Sequence, residues 1–238
     1  MRSPFPPRSA TIQLPASAHR WAGYATTADG VVAAALGAGL WPSKWQRPSE
    51  YDAALASAPF PAAPPALRAC VADLEAAYAA RGDAMRAEAA ALLADAREPR
   101  EGLQAPGGGS WLYVVLDAGA DTALGAAARR LEATCGLQNA GVSSLDPGAH
   151  LRPHTGPTNR RWSLHLGLDV AEADEARLEL LVGGERRERP WRQGSVVLFD
   201  DSFEHEVRHG GAARRVVLDL SVPHPDLGRD APMYRDEF

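Results

Sequence analysis

The chain has 238 residues, of which 45% are hydrophobic and 23% charged, with a formal net charge of -5. That is long enough to bury a substantial core, and the acidic balance excludes general binding to nucleic acid, which needs clustered positive charge. Cys70 and Cys135 are the two cysteines; they make no disulfide framework and no Cys-x-x-Cys pair, so two separate thiols in a reducing cytoplasm are expected. The longest apolar stretch, residues 30–41, is too short and too glycine-rich to span a bilayer. No apolar run follows Met1-Arg2 as a secretory leader would require. A soluble cytoplasmic chain with no membrane partner is expected.

Residues 1–60 are rich in proline, alanine and small polar residues and show no sustained period, which predicts an arm with little regular structure. Trp41 and Trp45 within it are expected to pack the arm onto the body. Residues 61–106 form a helical segment. Pro64-Pro65 opens it, and Leu67, Cys70, Val71, Leu74 and Tyr78 share one helical face. Gly82 marks a break or bend, and a second helical run, Met85 to Arg97, ends before Pro99. At Pro106-Gly107-Gly108-Gly109-Ser110 the character changes. This glycine-rich stretch lacks the Lys-Ser/Thr of a phosphate loop and reads as a turn.

Residues 107–238 then carry short runs of strand composition: Trp111 to Leu116, Val142 to Leu145, Trp162 to Val170, Leu178 to Val182, Ser195 to Phe199 and Arg215 to Val222. Pro147-Gly148, Gly183-Gly184 and Gly210-Gly211 separate them, and one helix, Thr122 to Thr134, interrupts them. Many short strands with regular turns predict a mainly β sandwich or jelly roll with the helices packed at its N-terminal side.

The chemistry concentrates in the second half. Pro153-His154-Thr155-Gly156-Pro157-Thr158-Asn159 precedes Phe199-Asp200-Asp201-Ser202-Phe203-Glu204-His205, and Arg215 stands ten residues after His205. Two histidines on separate strands can share one metal, and imidazole suits iron. An arginine on the next strand can grip the far carboxylate of a dicarboxylic acid in two parallel hydrogen bonds. The usual iron oxygenase carries a carboxylate two residues after the first histidine; here that place is Gly156. A metal site would therefore have two protein ligands, with water or chloride filling the gap.

With Ser143 to Gly148, His165-Leu166-Gly167-Leu168, Trp191-Arg192-Gln193-Gly194 and His224-Pro225-Asp226-Leu227 in the same order, these motifs resemble the aspartyl/asparaginyl β-hydroxylase family over roughly residues 107–227. That family also has glycine in place of the metal carboxylate. The resemblance implies a double-stranded β-helix, cupin-like in architecture, and oxidative decarboxylation of 2-oxoglutarate to succinate coupled to hydroxylation. It implies Fe(II) on His154 and His205, and 2-oxoglutarate held by Arg215 and Ser143 with His165 beside the metal-bound carboxylate. Asp201 would orient a metal-bound water. The family has an arginine two residues before the histidine matched by His165; this chain has Ser163. Arg161, two residues earlier on the same strand face, is the candidate to compensate. The substrate expected is an aspartyl, asparaginyl or related amino acid, free or in a peptide. The oligomeric state is open.

Bland alternatives attach to the same residues. His19, His150 and His209 are expected to be packed or surface histidines, and Asp200-Asp201 could simply end a strand in a turn. His205-Glu206-Val207-Arg208-His209 fits the zinc-protease pattern H-E-x-x-H, but that pattern needs a helix and the surroundings read as strand. Two other functions compete with hydroxylation: a halogenase of the same fold, with chloride in the place left by Gly156, and a jelly-roll protein that only binds a carboxylate.

Overall fold

The structure is a computed structural model, and it describes residues 43–48, 50–96, 108–171, 176–182 and 185–233. Trp41, His19, most of the expected arm, Arg97, and the turns at Gly107 and Gly183-Gly184 lie outside the described residues. Among the described residues two helices, α1 (Pro65–Asp95) and α2 (Ala123–Cys135), accompany nine strands. The strands are β1 (Trp111–Val115), β2 (Asn139–Leu145), β3 (His150–His154), β4 (Arg161–Asp169), β5 (Ala176–Val182), β6 (Glu185–Pro190), β7 (Val196–Phe199), β8 (His205–His209) and β9 (Arg215–Pro223). They form an antiparallel five-stranded sheet in the order β1-β2-β9-β4-β7 and a four-stranded sheet in the order β3-β8-β5-β6. The architecture is the mainly β jelly roll expected from the strand pattern.

Alternation along the strands sorts the core. On the large sheet Val142, Leu164, Leu166, Leu168, Val216, Leu218, Leu220 and Val222 face one way and pack with Leu67, Leu74, Met85, Leu124 and Leu131 of the helices. Leu145, Val197, Phe199 and Val217 face the other way and pack with Leu151 and Val207 of the small sheet and with Trp191. A strand's side-chain period of two separates the two sets without any change in backbone.

α1 is two helical runs joined at a kink: Arg81 takes φ -137°, ψ 19° beside Gly82, where the break or bend was expected. Tyr78 causes the close packing there: its ring would touch a Cβ at Gly82, and its hydroxyl donates to Leu168 O at 2.7 Å. α2 begins as its sequence predicts. Thr122 Oγ1 accepts from Gly125 N at 3.0 Å, and Glu88 of α1 accepts from Ala123 N and Leu124 N, both at 2.8 Å. Those contacts satisfy amides that a helix start leaves open.

Three strands were not anticipated. β3, β6 and β8 are rich in His, Arg and Glu, with too few apolar residues to show a period. β3 and β6 are the sheet's edges, where charge and Pro153 are tolerated because one side of the backbone is unpaired. The reading of two separate thiols is corrected: Cys70 of α1 and Cys135 of α2 form a disulfide across 65 residues of sequence. Spacing gave no sign of it, because only the packing of α1 against α2 brings the two together. Among the described residues no helix is long and apolar enough to cross a membrane.

Candidate active site

His154 closes β3 and His205 opens β8, and the two are direct partners across that antiparallel pair. Their ring centroids lie 4.1 Å apart at an interplanar angle of 53°. Each ring is tied to its own strand: His154 Nδ1 meets Arg152 O at 2.7 Å, and His205 Nδ1 meets Phe203 O at 2.8 Å. A carbonyl only accepts, so Nδ1 carries the proton in both rings and Nε2 keeps its lone pair. Burial lowers His154 to about 3, helped by the neighbouring His205, and lowers His205 to about 4. Two neutral imidazoles with fixed tautomers are a donor set for a transition metal. Among the described residues no third His, Cys, Asp or Glu completes a metal-holding group with them.

Gly156 explains how the place of the missing ligand is used. A Cβ on Gly156 would fall 2.4 Å from Asp201 Oδ2, so the Asp201 carboxylate fills the space a side chain there would need. Gly156 N donates to Asp201 O at 2.6 Å, and Arg161 Nη2 donates to Asp201 Oδ2 at 2.6 Å. Asp201 Oδ1 is buried and has no hydrogen-bond partner among the described residues. Asp200, beside it, builds the turn instead. Its Oδ1 accepts from Ser202 N and Oγ, and burial pushes its carboxyl up to about 8.

Arg215 opens β9 opposite Leu145, which places it on the inner face, diagonal to Ser143. It is 2% exposed and lies over the Trp191 ring at 4.6 Å, yet Nε and Nη1 have no partner among the described residues. Burial lowers its pKa to about 9, with Asp219 pulling the other way. A buried guanidinium with unspent donors is a receptor for an anion. Ser143 Oγ accepts from Trp111 Nε1 at 3.1 Å, which leaves the hydroxyl hydrogen to donate elsewhere. His165 stacks parallel to Trp191 (5.9 Å, 14°), meets Phe199 edge-on (5.0 Å), and keeps a buried Nδ1 without a partner among the described residues. All seven candidates therefore sit between the sheets or on the loops that close them.

The histidines expected to be bland are so engaged. His150 Nε2 meets Glu206 Oε2 at 2.8 Å, and His209 Nε2 meets Ala213 O at 2.6 Å. β8 is extended, so H-E-x-x-H does not put its two histidines one helical turn apart.

Two features escaped the sequence reading. Asp219, on β9, stands 3.5 Å from His165 Nε2. Burial pushes its carboxyl up, but His165, Arg161 and Arg215 together hold it below the usual value. Its one sequence signal was its place four residues after Arg215, on the same strand face. The second feature is the stretch formed by residues 43–48 and 50–60, which straps the ligand loops. Gln46 Nε2 donates to Ser202 Oγ at 2.9 Å, Arg47 pairs with Glu204 at 2.6 Å, Thr155 Oγ1 donates to Arg47 O at 3.1 Å, and Arg160 pairs with Asp52 at 2.9 Å. His224 Nδ1 accepts from Asp226 N at 3.1 Å, so its Nε2–H donates to Ala56 O at 2.7 Å and pins the strap from the far side.

The model of the family described as aspartyl/asparaginyl beta-hydroxylase matches residues 81–225. The mouse (Mus musculus) protein named aspartyl/asparaginyl beta-hydroxylase is 41% identical over 85 residues, 36% of this chain and 11% of that protein. Mouse aspartate beta-hydroxylase domain-containing protein 1 is 44% identical over 92 residues, 37% of this chain and 24% of that protein. Among solved structures, a Pseudomonas putida prolyl-4-hydroxylase aligns with a TM-score of 0.48 at 21% identity, covering 67% of this chain and all of that one. The family match takes in both histidine motifs, Gly156 and Arg215 and extends over more than half of the sequence, and the chain belongs to the aspartyl/asparaginyl beta-hydroxylase family.

Proposed function

We propose that this chain is an iron(II)- and 2-oxoglutarate-dependent oxygenase that hydroxylates the β-carbon of an aspartyl, asparaginyl or related amino-acid group, free or peptide-borne. The observation that carries the proposal is the pairing of two unlike sets of binding groups in one interior. A neutral histidine pair offers lone pairs, and a buried arginine has donors to spare. The first fits a divalent metal, and the second fits the far carboxylate of a dicarboxylate.

In this reading His154 and His205 hold the iron through Nε2. When bound, the iron would, with 2-oxoglutarate and dioxygen, supply the oxidation of an unactivated carbon: one oxygen atom would enter the product and the other the succinate left as 2-oxoglutarate loses carbon dioxide. The remaining work belongs to the chain. The carbonyls of Arg152 and Phe203 fix the histidine tautomers and ring angles. Arg215, supported by Trp191, and Ser143 grip the distal carboxylate. His165 lends its ring nitrogen beside the near carboxylate. Asp201, anchored by Arg161, offers Oδ1 to a water near the histidine pair. The apolar wall of Trp191, Phe199, Val197 and Val217 excludes bulk water from the reacting centre.

Hydroxylation is favoured over halogenation because the space beside Gly156 is filled by a carboxylate, not left for a chloride. Cytoplasmic placement, expected from the sequence, must accommodate the Cys70–Cys135 disulfide, a bond more usual in oxidising compartments. The test is a turnover screen with iron and 2-oxoglutarate against aspartate, asparagine, histidine and short peptides. Succinate should form in step with a product one oxygen heavier. Binding of 2-oxoglutarate without succinate under any condition would leave only a carboxylate-binding protein.

A further inference from the structure

The inner face of the large sheet continues beyond the residues assigned above. Asp219 faces Gly141 of β2 on one side and His165 of β4 on the other. Gly141 contributes no side chain, and the space is taken by Tyr113: a Cβ on Gly141 would lie 2.4 Å from that ring's Cζ. Tyr113 is fixed there by its hydroxyl, which accepts from Asn139 Nδ2 at 2.7 Å. One step along the strands, Ser163 pairs with Ser221, and Asn139 pairs with Ser221 from the other side. The row beside Asp219 is thus hydroxyls and an amide, with Ser163 standing where the family resemblance led one to expect a cation.

Asp219 keeps 22% of its side chain accessible, and its one ion-pairing side-chain partner within 4 Å among the described residues is His165, while Arg161 and Arg215 act on its carboxylate from further off. Arg161, the nearest candidate to restore the missing positive charge, is engaged with Asp201. This stretch of the inner face therefore has a partly exposed carboxylate beside a tyrosine ring and serine hydroxyls. Carboxylate, aromatic ring and neutral acceptors together are the chemistry that receives an ammonium group.

We propose that Asp219, with Tyr113, Ser163 and Ser221, forms a subsite for a protonated primary amine on the substrate, making Asp219 a specificity-determining residue. The proposal rests on the oxygenase reading for its meaning, but not for its test. The amine has two possible sources: the α-ammonium of a free amino acid, or a side-chain ammonium such as that of lysine or ornithine.

Binding is measured by ligand-observed NMR and by calorimetry on the full chain loaded with zinc and 2-oxoglutarate, so that no turnover is needed. The ligands are aspartate, asparagine, lysine and ornithine, each with its Nα-acetylated form, and the two diamines also with their side-chain-acetylated forms. At least one free amine should bind 10- to 100-fold more tightly than its acetylated partner. The position of the damaging acetyl group identifies the source. Asp219→Asn, which preserves shape and an acceptor for His165, should erase that difference without weakening 2-oxoglutarate binding. Asp219→Ala, checked for folding by circular dichroism, should do the same.

Three results overturn the proposal: equal binding of free and acetylated ligands, no binding by any member of the set, or parallel loss of amine and 2-oxoglutarate binding in Asp219→Asn. The last would make Asp219 only a positioning partner of His165. Absence of succinate in the turnover screen, with amine discrimination intact, would instead count against the oxygenase reading alone.

Discussion

The two faces of the five-stranded sheet are built by the same strands, yet only one of them mixes charged and polar groups into its apolar packing. Outward, Val142, Leu164, Leu166, Leu218 and Leu220 meet the helices in a continuous apolar layer. Inward, the alternate residues include Ser143, Ser163, His165, Arg215 and Asp219. The outer face fits the ordinary logic of burial, in which each aliphatic side chain removed from water stabilises the fold by roughly 1.5–3 kcal/mol. The inner face works against that logic. It buries a guanidinium with unspent donors and covers the two neutral histidines of the four-stranded sheet, groups that cost free energy unless a ligand arrives. Purely apolar burial lies on one side of the sheet, and the binding groups lie on the other beside a second, smaller apolar cluster.

That division can be broken most sharply at the histidine pair. His154→Ala or His205→Ala should reduce succinate formation more than a hundredfold while the metal-free thermal midpoint stays at or above that of the parent. Full turnover in either variant would sink the ligand assignment. Arg215→Met comes next. It should raise the 2-oxoglutarate requirement on the order of a hundredfold, because truncating one partner of a buried charge pair costs about 2–5 kcal/mol. The same change should leave stability without cosubstrate unchanged or higher, and a large loss there would mean that Arg215 is structural.

Leu164→Ala should do the reverse. Denaturant unfolding should show a loss of about 2–5 kcal/mol from the cavity, with 2-oxoglutarate affinity unaltered at equal folded fraction. The metal-free protein should also be acid-sensitive. Burial lowers His154 to about 3 and His205 to about 4 when folded, against the ordinary 6.5 when unfolded. Below pH 6.5 the unfolded chain therefore binds more protons, and stability falls as pH drops toward 4. With two protons involved the slope approaches ~2.7 kcal/mol per pH unit. The double variant His154→Asn/His205→Asn should flatten that slope in urea titrations. The smallest effect belongs to the helix start: Thr122→Ala should cost about 1 kcal/mol and leave turnover per folded molecule untouched.

How far the sequence could be read follows the same division. Outer-face strands such as Trp162 to Val170 and Arg215 to Val222 announced themselves because their apolar residues outnumber everything else. β3, β6 and β8 did not, since a strand of His, Arg and Glu has no hydrophobic period to detect. The bend in α1 was legible in Gly82, although Tyr78 and not glycine flexibility explains the packing there. Asp219 was passed over as one polar residue in an apolar strand. Its significance appears only when β4 and β9 pair it with His165.

By itself, the sequence determined the β-rich class, the order of the motifs, and the absence of a carboxylate side chain at Gly156. These follow from local pattern and residue identity, which need no partner. Tertiary structure alone decided that His154 and His205 face each other across a strand pair and that Asp201 occupies the room left by Gly156. It also joined Cys70 to Cys135 and laid residues 43–48 and 50–60 across the ligand loops. Each of these joins groups far apart in the chain. Their distance is set by sheet register and helix packing, quantities that sum over the whole core and leave no mark on any short stretch of sequence.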